Sequence, residues 1–181
     1  MPARRQEDII AHALSLAAAL AAAGLLIFAA VHDAATRTIP DWVSLTLIFC
    51  GLVLRGLDAT LPQGIAAAAV VLVLCFLPWQ RGWLGGGDLK VATSFALACP
   101  AGTAADFVLA TSLAGGVLAL VYIALSLVLR RPAPGPRRGF LARCLKAEGW
   151  RISRRGPIPY ACAIAAGGLY VLHATATAAT G

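Results

Sequence analysis

Long apolar runs are the feature that most restricts how this chain can fold. Ile9 to Val31 is rich in Ala and Leu and is interrupted only by His12 and Ser15. Asp41 to Leu57, Ile65 to Trp79, Asp88 to Cys99, Ala104 to Leu129 and Pro159 to Ala178 follow, each bounded by charges or by Pro and Gly. A membrane-crossing helix takes roughly 20 residues. The chain of 181 residues therefore has room for about six such helices joined by short loops. Composition agrees: 60% of residues are hydrophobic and only 13% charged, against ~25% charged in a soluble domain. Disordered chains are poor in hydrophobics, so disorder is excluded. Five cysteines without a C-x-x-C pair exclude a disulfide scaffold. The expectation is an all-α, polytopic membrane helix bundle, with residues 1–181 forming a single domain. The first run is too long for a signal-peptide core and is read as a retained helix. The fourth, with Thr93 and Ser94 in its middle, is expected to be shielded from lipid by its neighbours.

Charge placement orients the bundle. The segment 131–155 and its neighbour Arg130 carry nine Lys/Arg against one acid, Glu148. The positive-inside rule puts this loop in the cytoplasm. Counting back through six spans brings the loops of Arg37 and Arg81 to the same side. Arg4, Arg5 and Arg55 fall on the other, and both termini lie outside. The net charge of +7 is thus a topology signal, with attraction to anionic lipid headgroups as a second use. Nucleic-acid binding is not expected. Arg131 to Pro136 reads as a stiff linker. Phe140 to Ile152 reads either as a surface-lying amphipathic helix or as a solvated basic loop.

Only eight residues are acidic, so each can be weighed. Glu7 and Asp8 lie in the tail, Asp58 and Asp106 at outer helix ends, and Glu148 in the basic loop. Asp33 ends the first span and Asp88 begins the fourth, so both reach the cytoplasmic boundary from distant parts of the chain. An acid against a membrane span is costly and is a functional candidate by default. Charge placement alone fits equally well with two unrelated interfacial acids that cap helices.

The surroundings add to this. Asp33 precedes Ile39-Pro40-Asp41. Pro40 biases Ile39 to extended backbone and leaves Asp41 as an expected N-cap. Asp88 follows Gly85-Gly86-Gly87 and precedes Leu89-Lys90. Glycines there permit close approach of another chain, or simply form a flexible loop. The pattern D-x5-I-P-[N/D] followed by G-x-G-D-x-K resembles the type IV prepilin peptidases, membrane aspartic proteases of the G-x-G-D kind. Pro157-Ile158-Pro159-Tyr160, leading into Ala161 to Gly167, resembles the last helix of that family. The likeness covers roughly residues 9 to 175.

The resemblance implies an aspartic endopeptidase of the bacterial inner membrane with its active site facing the cytoplasm. Asp33 and Asp88 would be catalytic, supported by Gly85, Gly87, Lys90, Ile39, Pro40 and Asp41. The substrate would be a prepilin or pseudopilin with a short basic leader, and contact would extend to the pilus assembly machinery. Larger members carry a cytoplasmic insertion with paired C-x-x-C metal ligands, linked to N-methylation. Here only a short stretch joins the first two spans and the cysteines are scattered, so neither a metal nor any cofactor is expected. The size resembles the minimal peptidases of tight-adherence (Flp-type) pili. Asp41 stands where that family commonly has Asn, which adds a third carboxylate near the site.

Two close carboxylates share a proton and split their titrations. Asp88 at a helix N-terminus is expected to be the base, and Asp33 near a helix C-terminus the acid. Lys90 either orients Asp88, contacts the substrate, or snorkels to the interface. Arg37 reads as a positive-inside anchor and His32 as an interfacial side chain. Trp42, Trp79, Trp83 and Trp150 read as interface anchors, and Gly115-Gly116 as a helix-packing element. A zinc protease lacks its H-E-x-x-H and a serine hydrolase its G-x-S-x-G. The rival from another class is a small transporter or membrane scaffold using Asp33 and Asp88 as ion or proton sites. Such sites usually lie near the midplane on broken helices.

Overall fold

The computed structural model describes residues 2–100, 102–128, 149 and 158–178. The basic loop 131–155, the Phe140 to Ile152 segment and Trp150 lie outside the described residues, Gly149 apart. Among the described residues six helices form the bundle: α1 (Pro2–Thr36), α2 (Asp41–Leu57), α3 (Leu61–Gln80), α4 (Gly86–Ala96), α5 (Ala104–Val128) and α6 (Tyr160–Ala178). No strand occurs among the described residues. The chain is a helical membrane bundle, as its apolar runs require. Among the described residues four helices, α1, α3, α5 and α6, are long and apolar enough to cross a membrane. Their outward faces are apolar, as in Val73, Leu113 and Leu120. That is stable against lipid and costly in water.

Several boundaries differ from the sequence expectation. Helix α1 runs through Asp33 to Thr36 rather than stopping at Val31. Helix α3 keeps Pro78 inside its last turn. There the ring removes the one helical bond that an N–H at position 78 would make to Leu74 O. Helix α4 begins at Gly86, so two glycines lie within its first turn rather than before it. Its eleven residues span about 16 Å at 1.5 Å per residue, too little to cross a hydrocarbon core of about 30 Å alone.

Helix α4 is the hub of the bundle. It packs against α2, α3 and α6, while α6 is wedged between α1 and α5. Val91, Ala92, Phe95 and Ala96 of α4 are buried, and the Phe95 ring meets Phe107 of α5 at 5.0 Å between centroids. The neighbours shield this short helix, as its polar middle suggested. Small residues let the backbones close in. A Cβ on Gly168 of α6 would fall 2.6 Å from Leu26 of α1 and 3.2 Å from Phe95. A Cβ on Gly115 of α5 would fall 2.9 Å from the Tyr160 ring, whereas Gly116 faces open space. Of that glycine pair, only the first serves packing.

Candidate active site

The site is built at the end of the bundle where α1 stops and α4 starts. Helix α1 ends because Arg37 takes a left-handed conformation, φ 60°, with its N–H donating to Asp33 O at 2.8 Å. Such a conformation costs a non-glycine residue roughly 1 kcal/mol or more. The turn that follows is cross-braced. The Thr36 hydroxyl donates to His32 O at 2.8 Å, and His32 Nδ1 lies 2.7 Å from Thr38 O. His32 therefore closes the α1–α2 turn and takes no part in a His-Asp pair. Pro40, extended at φ −63° and ψ 139°, launches α2.

Asp41 is not the N-cap that the sequence suggested. Pro40 holds that position with no side-chain cap bond, and Asp41 is the first helical residue. Its carboxylate is instead 2.7 Å from Lys90 Nζ. The same contact bears on one role open to Lys90: its partner is Asp41 of α2 rather than Asp88. The pair joins α2 to α4 beside the site and neutralises the third carboxylate.

Asp33 and Asp88 are each only 8% exposed. They stand close enough for the Asp33 charge to act on Asp88. Two acids some 55 positions apart in sequence thus share one buried place. Asp88 sits in the first turn of α4, outside the four long candidate spans. Its side chain turns back toward Gly85, where a Cβ would lie 2.9 Å from Oδ2. Gly85 is thus the residue that leaves room for the carboxyl. A Cβ on Gly87 would in turn meet Ile39 at 3.1 Å, so the Ile-Pro element rests directly on the glycine element. Asp88 Oδ1 is buried and has no hydrogen-bond partner.

Electrostatics at Asp88 oppose one another. Burial, and next the Asp33 carboxylate, push its pKa up to about 7 from 3.8. The Gly85 and Ala161 amides, at the N-termini of α4 and α6, and the Arg37 charge work the other way. The helix terminus alone would leave Asp88 ionised, but burial outweighs it. The two acids are best treated as one unit that holds a proton near neutral pH. Arg37 is the residue whose part in the site sequence reading missed. Its signal is a backbone conformation, which no motif spells out. Tyr160 and Cys75 complete the surroundings, both within electrostatic reach of Asp88. No cluster of His, Cys, Asp or Glu able to hold a metal occurs among the described residues.

Two buried carboxylates at one end of a membrane helix bundle mark a functional site. A family model, that of the type IV leader peptidase family, matches residues 20–120, more than half of the chain and the whole stretch holding both aspartates. The chain belongs to the type IV leader peptidase family. No curated protein and no solved structure matches it.

Proposed function

We propose that the chain is a membrane aspartic endopeptidase that removes the short basic leader of type IV or Flp-type prepilins at the cytoplasmic membrane face, for pilus assembly. Family membership supports a leader peptidase acting on prepilin-type substrates. The observation that carries the aspartic chemistry is the burial of Asp33 and Asp88 at one place, with the charge of one acting on the other.

The chemistry follows from a pair holding one proton. The ionised carboxylate takes a proton from water, and the oxygen attacks the scissile carbonyl carbon. The protonated carboxyl gives its proton to the carbonyl oxygen, forming a neutral tetrahedral diol. Collapse breaks the C–N bond as the carboxyl proton passes to the leaving nitrogen and a diol hydroxyl gives its proton to the other carboxylate, so the pair again holds one proton. The unpartnered Asp88 Oδ1 is suited to hold the attacking water. Gly85 leaves room for the Asp88 carboxyl and Gly87 for Ile39, while Pro40 launches α2 and the Asp41–Lys90 pair ties α2 to α4 beside the dyad.

Co-expression with a candidate prepilin tests the reading. Wild type is expected to remove the leader, and Asp33→Asn and Asp88→Asn to leave it in place. Full processing by either variant would sink the assignment. A reporter fused within the 131–155 loop checks the orientation independently.

A further inference from the structure

Helix α4 ends at Ala96 after eleven residues, so the bundle lacks a central helix at the end away from the aspartates. A cavity of about 490 Å³ occupies that place, within the range of roughly 300–1,000 Å³ usual for ligand sites. Phe95 and Ala98, at the end of α4, line it together with Ala19 of α1, Leu54 of α2 and Leu172 of α6. Ser15, also in the lining, precedes Asp33 on α1 by about 27 Å of helix at 1.5 Å per residue. That is close to the ~30 Å of a hydrocarbon core. The cavity therefore lies at the opposite membrane boundary from Asp33 and Asp88.

Two opposite charges meet in this lining. Arg55 is only 5% exposed and has no part in the aspartate site. Its Nη2 pairs with Asp58 Oδ2 at 3.1 Å and its Nη1 donates to Thr60 Oγ1 at 3.3 Å, whereas Nε is buried with no hydrogen-bond partner. A buried cation short of partners is costly. Asp58 is 52% exposed, and His12 of α1 stands exposed in the same lining. The cavity thus offers a cation, an acid beside it and an apolar wall. The Arg55–Asp58 pair carries no net charge, so a plain anion gains little there, and one carboxylate is too few ligands for a divalent cation. A zwitterion with an apolar tail matches all three features. We propose that the cavity binds a phospholipid with an ethanolamine headgroup, taken from the leaflet opposite the aspartates. The phosphate sits against the Arg55 charge and His12, and the primary ammonium donates to the Asp58 carboxylate. The start of an acyl chain lies along Ala19, Leu54 and Leu172. Bound there, the lipid fills the space that α4 leaves open and ties α1, α2 and α6 together. A choline headgroup has no N–H to donate and binds less well. The site stands independently of the leader-peptidase reading.

Lipid binding to the full chain, stripped of lipid in detergent micelles, tests this. Native mass spectrometry counts bound molecules, and thermal unfolding reads their effect on the bundle. The probes are phosphatidylethanolamine and phosphatidylcholine with the same acyl chains, phosphatidylglycerol, and inorganic phosphate. One phosphatidylethanolamine per chain is expected to bind about tenfold tighter than phosphatidylcholine, the scale of one charge-assisted hydrogen bond, and to raise the thermal midpoint. Inorganic phosphate should do neither. Asp58→Asn should bring the two lipids close to parity. Ala19→Phe fills the cavity from α1 while leaving the Arg55–Asp58 pair in place; it should abolish binding of both, and it keeps the test decisive if Asp58→Asn does not fold. Equal affinity for the two headgroups in wild type, tighter binding of phosphatidylglycerol, or a midpoint raised by phosphate alone overturns the site. So does an ethanolamine preference unchanged in Asp58→Asn or in Ala19→Phe. A wild-type chain that retains no lipid at all would show a water-filled vestibule instead, and the proposal would fall.

Discussion

Ile39 lies against Gly87 with no room for a side chain between them: a Cβ at position 87 would stand 3.1 Å from Ile39 Cβ and 3.3 Å from its Cγ1 and Cδ1. The end of α1 and the start of α4 are thereby set at a fixed spacing, and with them Asp33 and Asp88. Gly87→Ala should push the two apart and lower leader processing about tenfold, equivalent to ~1.4 kcal/mol of barrier. Pairing it with Ile39→Gly should recover part of the loss, because the nearest atom, Ile39 Cβ, is then gone as well. A double variant no better than Gly87→Ala alone would mean that spacing is not the cause.

The Asp41–Lys90 contact makes a different forecast. Both side chains are more than half exposed, so the pair adds little to stability, ~0.2–1 kcal/mol at most. Its expected value is electrostatic, as a counter-charge to a third carboxylate near Asp33 and Asp88. Lys90→Met should therefore slow processing, and Asp41→Asn on top of it should restore most of the rate. The thermal midpoint should barely change in either variant. Additive losses in the double variant would refute the neutralising role.

How much of this could be read from sequence depends on the range of the interaction. The bundle and both aspartates were legible because apolar runs and scarce acids are local signals that need no partner. The cap assigned to Asp41 was not, since Pro40 already fixes the backbone there and Lys90, 49 residues away, claims the carboxylate. Arg37 read as an anchor because a left-handed backbone at a non-glycine residue leaves no trace in a motif. Asp88 looked like the ionised partner because helix position is visible in sequence whereas burial is not. The cavity at the far end joins His12 of α1, Arg55 of α2 and Phe95 of α4, and only the fold brings them together.

Helix packing supplies a stability forecast with an internal control. A Cβ on Gly167 of α6 would run into Thr111 of α5, reaching the hydroxyl oxygen and lying 2.8 Å from its backbone nitrogen. Backbone cannot swing aside, so Gly167→Ala should force α5 and α6 apart and cost ~1–3 kcal/mol. Gly116 has nothing within 4 Å, and Gly116→Ala should be neutral or stabilising by up to ~1 kcal/mol through helix propensity. Thermal unfolding in detergent micelles separates the two. Equal midpoints would show that α5 and α6 are not packed through Gly167.

The raised Asp88 pKa links stability to pH in the direction opposite to the usual aspartate. An ordinary aspartate with a folded-state partner loses stability as pH falls. Here the folded chain holds its proton up to about 7, while an unfolded chain releases it near 3.8. Across that window the folded state binds more protons than the unfolded one, so stability declines as pH rises from about 4 to about 7 and then levels off. Asp88→Asn cannot ionise and removes this dependence. Its thermal midpoint should therefore gain on that of wild type steadily between those limits, with the gain complete above neutrality. Processing by wild type should follow the same proton: once the pair has lost it on the alkaline side, no acid remains to protonate the scissile carbonyl, and the rate should fall. Midpoints of wild type and Asp88→Asn that run parallel from pH 4 to pH 8 would show that Asp88 ionises as it does in water, and the shared-proton pair would have to be abandoned.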